Sequence, residues 1–478
     1  MKYTNLLRRF LPLAIVTAIL CGVIQPVQAA SVPPWSLPST DAIGLVASVN
    51  YQADNLTLDD QYLYPTFSSI SVVDLNPQSL RLFYKLRTDY IFDLVVKGQY
   101  AFAGQQSSGL RVFDITVATP TVFSSHEIAG GAYGLALAGN NLLVATGLSG
   151  LTILDTTKPY DMPVVGNVML EGFSKQVCVS GNLALVSAGK AGVHVVDISK
   201  PEAPALLITI HTSSPVENAT LDGKIGYLAL GLGGMEIVAL NDPANPAMLS
   251  NLESRDFLRR VIVKDSLAYL AERDAGIRIV SVANPAHPAP LAVYNTTGGA
   301  WDIALKDNNI YVADYPYGLL VLRYDRPVEQ SIPEQGGTVN SPADGVAVTI
   351  PDGGFESSVT FKHEPLPAIN TPIGPEPTLV KAGPFFRNVA WSGEEASKPA
   401  KPYSITVKAN LTALTARQIR ALSLYYWDTE LKRWRKDVSS RLDESTGIIT
   451  ATPSRLGIWG VFYDRDESYT NLPPTPTP

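Results

Sequence analysis

The chain of 478 residues carries a formal charge of -7, is 46% hydrophobic and contains only two cysteines. A negative surface without a basic patch interleaved with aromatics excludes nucleic acid as a partner. The apolar content supports the cores of two domains or more, and because Cys178 alone lies beyond residue 30, no intramolecular disulfide is available to hold them.

Lys2, Arg8 and Arg9 precede an apolar stretch from Phe10 to Ile24, and Val27-Gln28-Ala29-Ala30 closes the segment in small residues. A signal peptidase reads this order, so residues 1–30 are expected to be a signal peptide and the protein to be secreted or held at a bacterial-type cell surface. The apolar run of about 15 residues is shorter than the ~20 of a spanning helix. Membrane contact is therefore expected only through this segment, if it stays uncleaved. Leu20 before Cys21 departs from the small residue of a lipoprotein site. Cleavage would remove three basic and no acidic side chains, taking the charge to about -10. Residues 31–42 form a Pro/Ser-rich linker.

From residue 43 to 326 one signature recurs seven times: an apolar strand ending in small residues, a short gap, a hinge residue, and a second strand that often closes in Asp. The hinge falls at Ser69, Gly109, Gly150, Gly192, Gly234, Gly276 and Gly318, spaced by 40, 41, 42, 42, 42 and 42 residues. Seven positions before the hinge stand Tyr62, Phe102, Leu143, Leu185, Tyr227, Tyr269 and Tyr311, and two further on Tyr64, Gly104, Ala145, Ser187, Ala229, Ala271 and Ala313. This alternation of large and small is what a strand needs when sheets stack face to face. Asp74, Asp114, Asp155 and Asp197 end the following strand, and Pro-containing turns such as ISKPEAP come after it.

Four short antiparallel strands in each unit predict the blade of a seven-bladed β-propeller, with a linear solenoid as the alternative. The seventh unit runs out at Arg323-Tyr324 without a fourth strand, whereas an orphan strand, Gly44 to Tyr51, precedes the first. Pairing the two removes both open edges and favours the ring.

Gly192-Val193-His194-Val195-Val196-Asp197-Ile198-Ser199-Lys200-Pro201 resembles the LVIVD repeat, a propeller family of exported bacterial and archaeal proteins. The resemblance covers about residues 43–325. Ser69 replaces the Gly in blade one, and blades five to seven lack the Asp. The resemblance implies a fold and an exported address without a defined activity.

Beyond Pro327 the hinge signature stops. Short alternating strands, Gly-Gly and Asp-Gly turns and a brief helix near Leu414 to Arg420 predict a β-sandwich over 327–466. Gly336-Gly337, Val346 to Pro351 and Tyr426-Trp427-Asp428 with Trp434 resemble the sandwich shared by ankyrins and netrin receptors, which implies binding or domain coupling. Residues 467–478 are a Pro/Thr-rich tail.

Propellers place ligands where loops converge on the innermost strands. Sixteen residues before each hinge stand Asp93, Gly134, Gln176, Asn218, Arg260 and Asp302, with Asp54 or Asn55 in the shorter first blade. Phe92, Tyr133, Lys175, Glu217, Arg259 and Trp301 precede them. This column predicts a binding rim with an acidic side at Asn55, Asp93 and Asp302 and a basic side at Arg259 and Arg260; its structural alternative is a channel lining polar because it faces trapped water. Lactonases built on propellers hold calcium with channel carboxylates and amides, and similarity to them would place the ion on Asp93, Glu217, Asn218 and Asp302. His126, His194, His211, His287 and His363 lack ligand spacing. Tyr315 and Tyr317, or Trp427 and Trp434, would serve a sugar or a partner, with packing as the alternative. The expected function is non-enzymatic binding of a protein or glycan with no cofactor; the alternative is a calcium-dependent, lactonase-like hydrolase.

Overall fold

A computed structural model describes residues 43–465 apart from 76–79, 107, 117–119, 367–371, 373, 394 and 413. The expected signal peptide, linker and Pro/Thr-rich tail lie outside the described residues.

Seven four-stranded antiparallel sheets follow one another in the chain. Blade four shows the plan: Gln176–Ser180 innermost, then Leu183–Ser187, Val193–Asp197 and Ala205–Ile210 outermost. Gly192 makes the turn into the third strand with φ +100°, and a Cβ there would stand 2.1 Å from the Ile210 carbonyl oxygen, so no other residue fits. At the strand end Asp197 accepts from Ser199 N at 2.8 Å. Asp114 and Asp155 accept from both the hydroxyl and the amide of Thr116 and Thr157, and these bonds, the hydroxyls first in those two, hold all three carboxyls below the usual carboxylate range.

The inner strands pack side by side around a closed cycle, the seventh against the first, which makes the array a seven-bladed propeller. The orphan N-terminal strand, Ile43–Val49, pairs antiparallel with Gly318–Tyr324 and completes blade seven. A bulge identifies it as a true fourth strand. In the other six blades the outer strand carries one extra residue opposite the third and fourth positions after the hinge, as at Leu207 opposite Val195 and Val196. Ile43–Val49 carries the same bulge at Val46. An irregularity repeated on every exposed edge twists that edge and blunts its pairing with other chains.

Each blade buries one face against its neighbour. Leu143, Ala145 and Ile153 of blade three meet Val177, Val186 and Val196 of blade four. The large column of the sequence is this face: Phe102, Leu143, Leu185, Tyr227, Tyr269 and Tyr311 are buried. Blade one is corrected by two residues. Thr66 pairs directly with Ile70 there, so the link before the third strand is short, and Tyr64 rather than Tyr62 fills the large position.

Residues 328–464 form two antiparallel sheets, as a β-sandwich requires. One is built on Val359–Leu366, Leu379–Ser392 and Gly457–Asp464, the other on Val346–Ile350, Ser404–Lys408 and Ile448–Ala451. Phe361, Phe386, Ile405 and Trp459 meet between them. The expected helix is present at Ala416–Arg420, started by a Thr415–Gln418 capping box. His363 is buried between Asp344 Oδ2 and Asn388 Oδ1, each at 2.8 Å, and is a structural histidine. Trp434 is buried among Phe385, Tyr425 and Phe462 with Trp427 against it, so this pair packs rather than presents rings.

Candidate functional site: the mouth of the propeller

At one end of the ring, the turns between second and third strands of blades two to six are each tied to the segment entering the next inner strand. Gln106 bridges to Ala132, Gly147 to Ser174, Gly189 to Val216, Gly231 to Leu258 and Arg273 to Ala300. These ties gather the loops around a cavity of about 370 Å³. Asn55, Gln176, Asn218, Arg260 and Asp302 line it, as do Phe92, Tyr133, Lys175, Glu217, Arg259 and Trp301. The sequence column therefore converges in space. A second cavity of about 310 Å³ continues down the channel, sharing Gln176, Asn218 and Arg260 and reaching Asp93 and Cys178. A larger hollow of about 510 Å³ between blades three and four, at Gly139, Asn182 and Pro201, has no ionisable side chain in its lining.

The choice between Asp54 and Asn55 follows from the short link of blade one. Asn55 begins the inner strand and lines the mouth, while Asp54 is fully buried and bonded by the Tyr90 hydroxyl. Burial pushes the Asp54 carboxyl up to about 6, against the Tyr90 hydrogen bond and the Arg259 charge. Asp93 is also pushed up to about 6 by burial, opposed by Arg260 and by the Leu135 amide.

Several of these side chains join blade to blade. Asp302 Oδ2 accepts from Leu56 N at 2.9 Å, Asp93 Oδ2 from Leu135 N at 2.8 Å, and Asn218 Oδ1 from Val261 N at 3.4 Å. In each case the donor is the residue just after the same column position one blade on. The second oxygen of Asp302 and of Asp93 accepts the amide of its own next residue. Among the described residues Gln176 makes only this local bond, to Val177 N. The column is thus polar largely because it stitches inner strands together, a use the sequence did not disclose.

The expected acidic and basic sides are not separate. Arg260 Nε stands 3.2 Å from Asp302 Oδ1, and Lys175 Nζ 2.8 Å from Glu217 Oε2. These commitments also bear on calcium. Asp93, Asp302 and Asn218 spend oxygens on main-chain amides and Glu217 on a lysine, so the four do not present a shared oxygen shell. Among the described residues no group of three or more His, Cys, Asp or Glu is placed to hold a metal ion. Burial pushes the Cys178 thiol up to about 12, which leaves it unreactive.

What the sequence missed is an arc of rings around the mouth. Trp301, Tyr315, Phe67, Tyr90, Phe92, Tyr133 and Phe173 follow one another with centroids 4.7 to 6.1 Å apart. Most meet edge to face, the favoured arrangement of aromatic pairs. The arc crosses blades seven, one, two, three and four, and Phe173 keeps 42% of its surface exposed. Tyr315 of the last hinge loop belongs to it, and Tyr317 is 60% exposed. A signal was present: Tyr90, Phe173 and Phe257 all stand nineteen residues before their hinge glycines. Gln106 lines the mouth as well.

A model described as "LVIVD repeat" matches residues 90–124, 129–169, 171–212, 258–296 and 297–322. The units it passes over are blade one, with its short link, and blade five, where Ala239 replaces the closing Asp. The match ends before the sandwich and does not bear on its resemblance to ankyrins and netrin receptors. No curated protein matches the chain. Among solved structures, the computationally designed Ika8 protein covers 60% of this chain and 100% of its own at 11% identity and a TM-score of 0.46. U3-55K covers 60% and 99% at 11% identity and 0.49, and BamB from Moraxella catarrhalis 59% and 98% at 13% and 0.44. Residues 90–322 thus carry five matched LVIVD repeats, and these lie in a closed cycle of seven four-stranded blades, a β-propeller.

Proposed function

We propose that this protein is an exported, non-enzymatic binding protein that takes its ligand at the propeller mouth, with the sandwich as a second interaction or spacing module. The observation that carries the proposal is the pairing of a continuous aromatic arc with a cavity whose carboxylates are already engaged by the protein. Rings and fixed polar groups around a preformed hollow recognise a ligand. A general acid or base would need a carboxyl free to reach substrate, and Asp93 and Asp302 are turned to backbone amides instead. Export rests on the order of charged, apolar and small residues in the first 30 positions.

Two measurements test this. The variants Trp301→Ala and Phe92→Ala are compared with the parent for retention on immobilised cell-surface glycans and cell-surface proteins. Loss of retention by both supports the mouth as the binding face, and unchanged retention rules it out. The intact mass of the protein from its producing cell tests export, with a mature chain beginning near Ser31 expected.

A further inference from the structure

We propose that the ligand of the mouth is an acidic glycan, with sugar rings held along the aromatic arc and the acid group received by Arg259 and Arg273 beside Trp301. This inference rests on the mouth being the binding face.

Two guanidinium groups share one indole. Arg259 Cζ lies 4.4 Å and Arg273 Cζ 5.4 Å from the Trp301 ring, and Arg273 is also 5.5 Å from Phe257. Neither arginine is in an ion pair among the described residues, although Lys175 and Arg260 beside them each have a carboxylate. A third cation is only partly satisfied: Arg260 Nε is buried and, despite the nearby Asp302, has no hydrogen-bond partner. Guanidinium groups held on aromatic faces keep planar forks ready for a carboxylate or sulfate.

The backbone at Arg273 supports the same assignment. The equivalent turn position in blades three, four and five is Gly147, Gly189 or Gly231, with φ of +58°, +59° and +56°. Blades two and six hold this left-handed conformation with side chains, Gln106 at +46° and Arg273 at +39°. Both side chains serve the mouth, Gln106 in its lining and Arg273 over Trp301. Conformational strain tolerated where glycine is the rule marks these positions as selected for their side chains.

A glycan fits the rest of the cavity better than an acidic peptide does. The Asn55 oxygen and the NH₂ groups of Gln176 and Asn218, the halves of these amides not bonded among the described residues, match hydroxyls, and the rings offer apolar surface to C–H faces of sugars. The hollow of about 370 Å³ has the size of a small-ligand site.

The test uses the purified full chain, a short oligogalacturonate, its methyl ester, and polyglutamate, with affinities from calorimetry. The free acid is expected to bind at least about tenfold tighter than the ester, and Arg259→Gln and Arg273→Gln to erase that difference while leaving ester binding in place. Trp301→Ala is expected to weaken both sugars. Equal binding of acid and ester, lost in Trp301→Ala, overturns the acidic preference and keeps the mouth. Polyglutamate binding as tightly as the oligogalacturonate overturns the glycan. Sugar binding indifferent to Trp301→Ala overturns both proposals, as does no binding of any probe when the parent is retained on surface proteins through another face.

Discussion

Replacing Asp302 by alanine removes the tie across the junction where the ring closes, between blade seven and blade one. Asp302 is 5% exposed and serves three partners: Leu56 N at 2.9 Å, Ile303 N at 2.9 Å and Arg260 Nε at 3.2 Å. Each buried amide left unpaired costs about 1–3 kcal/mol. The loss of the ion pair adds less, about 1 kcal/mol, because the Arg260 side chain is 28% exposed and partly screened. Asp302→Ala is therefore expected to cost about 4 kcal/mol, a large part of the ~5–15 kcal/mol that holds a domain. Asp302→Asn keeps one acceptor but turns an NH₂ towards another donor, and about 2 kcal/mol is expected. The control is Gln176→Ala in the same column: among the described residues that side chain bonds only its own neighbour, so less than about 1 kcal/mol is expected. Urea midpoints at constant m-value measure the differences, and hydrogen exchange at the Leu56 amide localises them. A loss below about 1 kcal/mol in Asp302→Ala, or an equal loss in Gln176→Ala, would show that the column does not join the blades.

Two glycines of one turn separate backbone strain from collision. Gly192→Ala places a Cβ 2.1 Å from the Ile210 carbonyl and is expected to cost more than about 3 kcal/mol. Gly189→Ala, at φ +59° with nothing within 4 Å, is expected to cost about 1 kcal/mol in the same thermal or urea assay. The buried carboxyls predict a pH dependence. Asp54 and Asp93 have folded values near 6 against 3.8 for the free group, so the folded protein binds more protons in between. Their contribution is complete below pH 4 and is lost as pH rises through 6, by at most about 3 kcal/mol each. Asp93→Asn is expected to flatten stability between pH 4 and 7, and an unchanged slope in urea titrations would count against the buried carboxyl.

Much of the fold was legible because a repeat states its geometry many times over. The spacing of hinge glycines, the alternation from Phe102 to Gly104, and the orphan strand before the first unit predicted the blades and their closure. Blade one escaped because a link shorter by two residues slides every column, so Tyr64 and Asn55 hold the places that counting back from Ser69 assigns elsewhere. The site was legible as a column of polar residues, and its members do meet at one mouth. Their partners were not, because the amides of Leu56, Leu135 and Val261 carry no mark in the sequence of the side chains that will bond them. The aromatic arc draws its rings from four different offsets to the hinge. Such a set gains meaning only when the blades bend round and bring Trp301 and Tyr315 beside Phe67.

In a repeat protein, positions that agree across blades report what every blade needs, and positions that break the rule report what one blade alone does. By that logic Arg273 is the most informative departure. Its backbone occupies a turn for which three other blades use glycine, so Arg273→Gly relieves about 1 kcal/mol of strain. Against this stand the extra freedom of glycine in the unfolded chain, about 0.5–1 kcal/mol, and the lost attraction to Trp301 and Phe257, about 0.5–1 kcal/mol. The changes nearly cancel, and stability is expected to stay within about 1 kcal/mol of the parent. Acidic-sugar affinity, in contrast, is expected to fall at least about tenfold. A residue kept for packing would give the reverse pattern, with a loss of stability above about 2 kcal/mol and unchanged affinity. Urea unfolding and calorimetry on the same preparation distinguish the two, and the reverse pattern would remove Arg273 from the site.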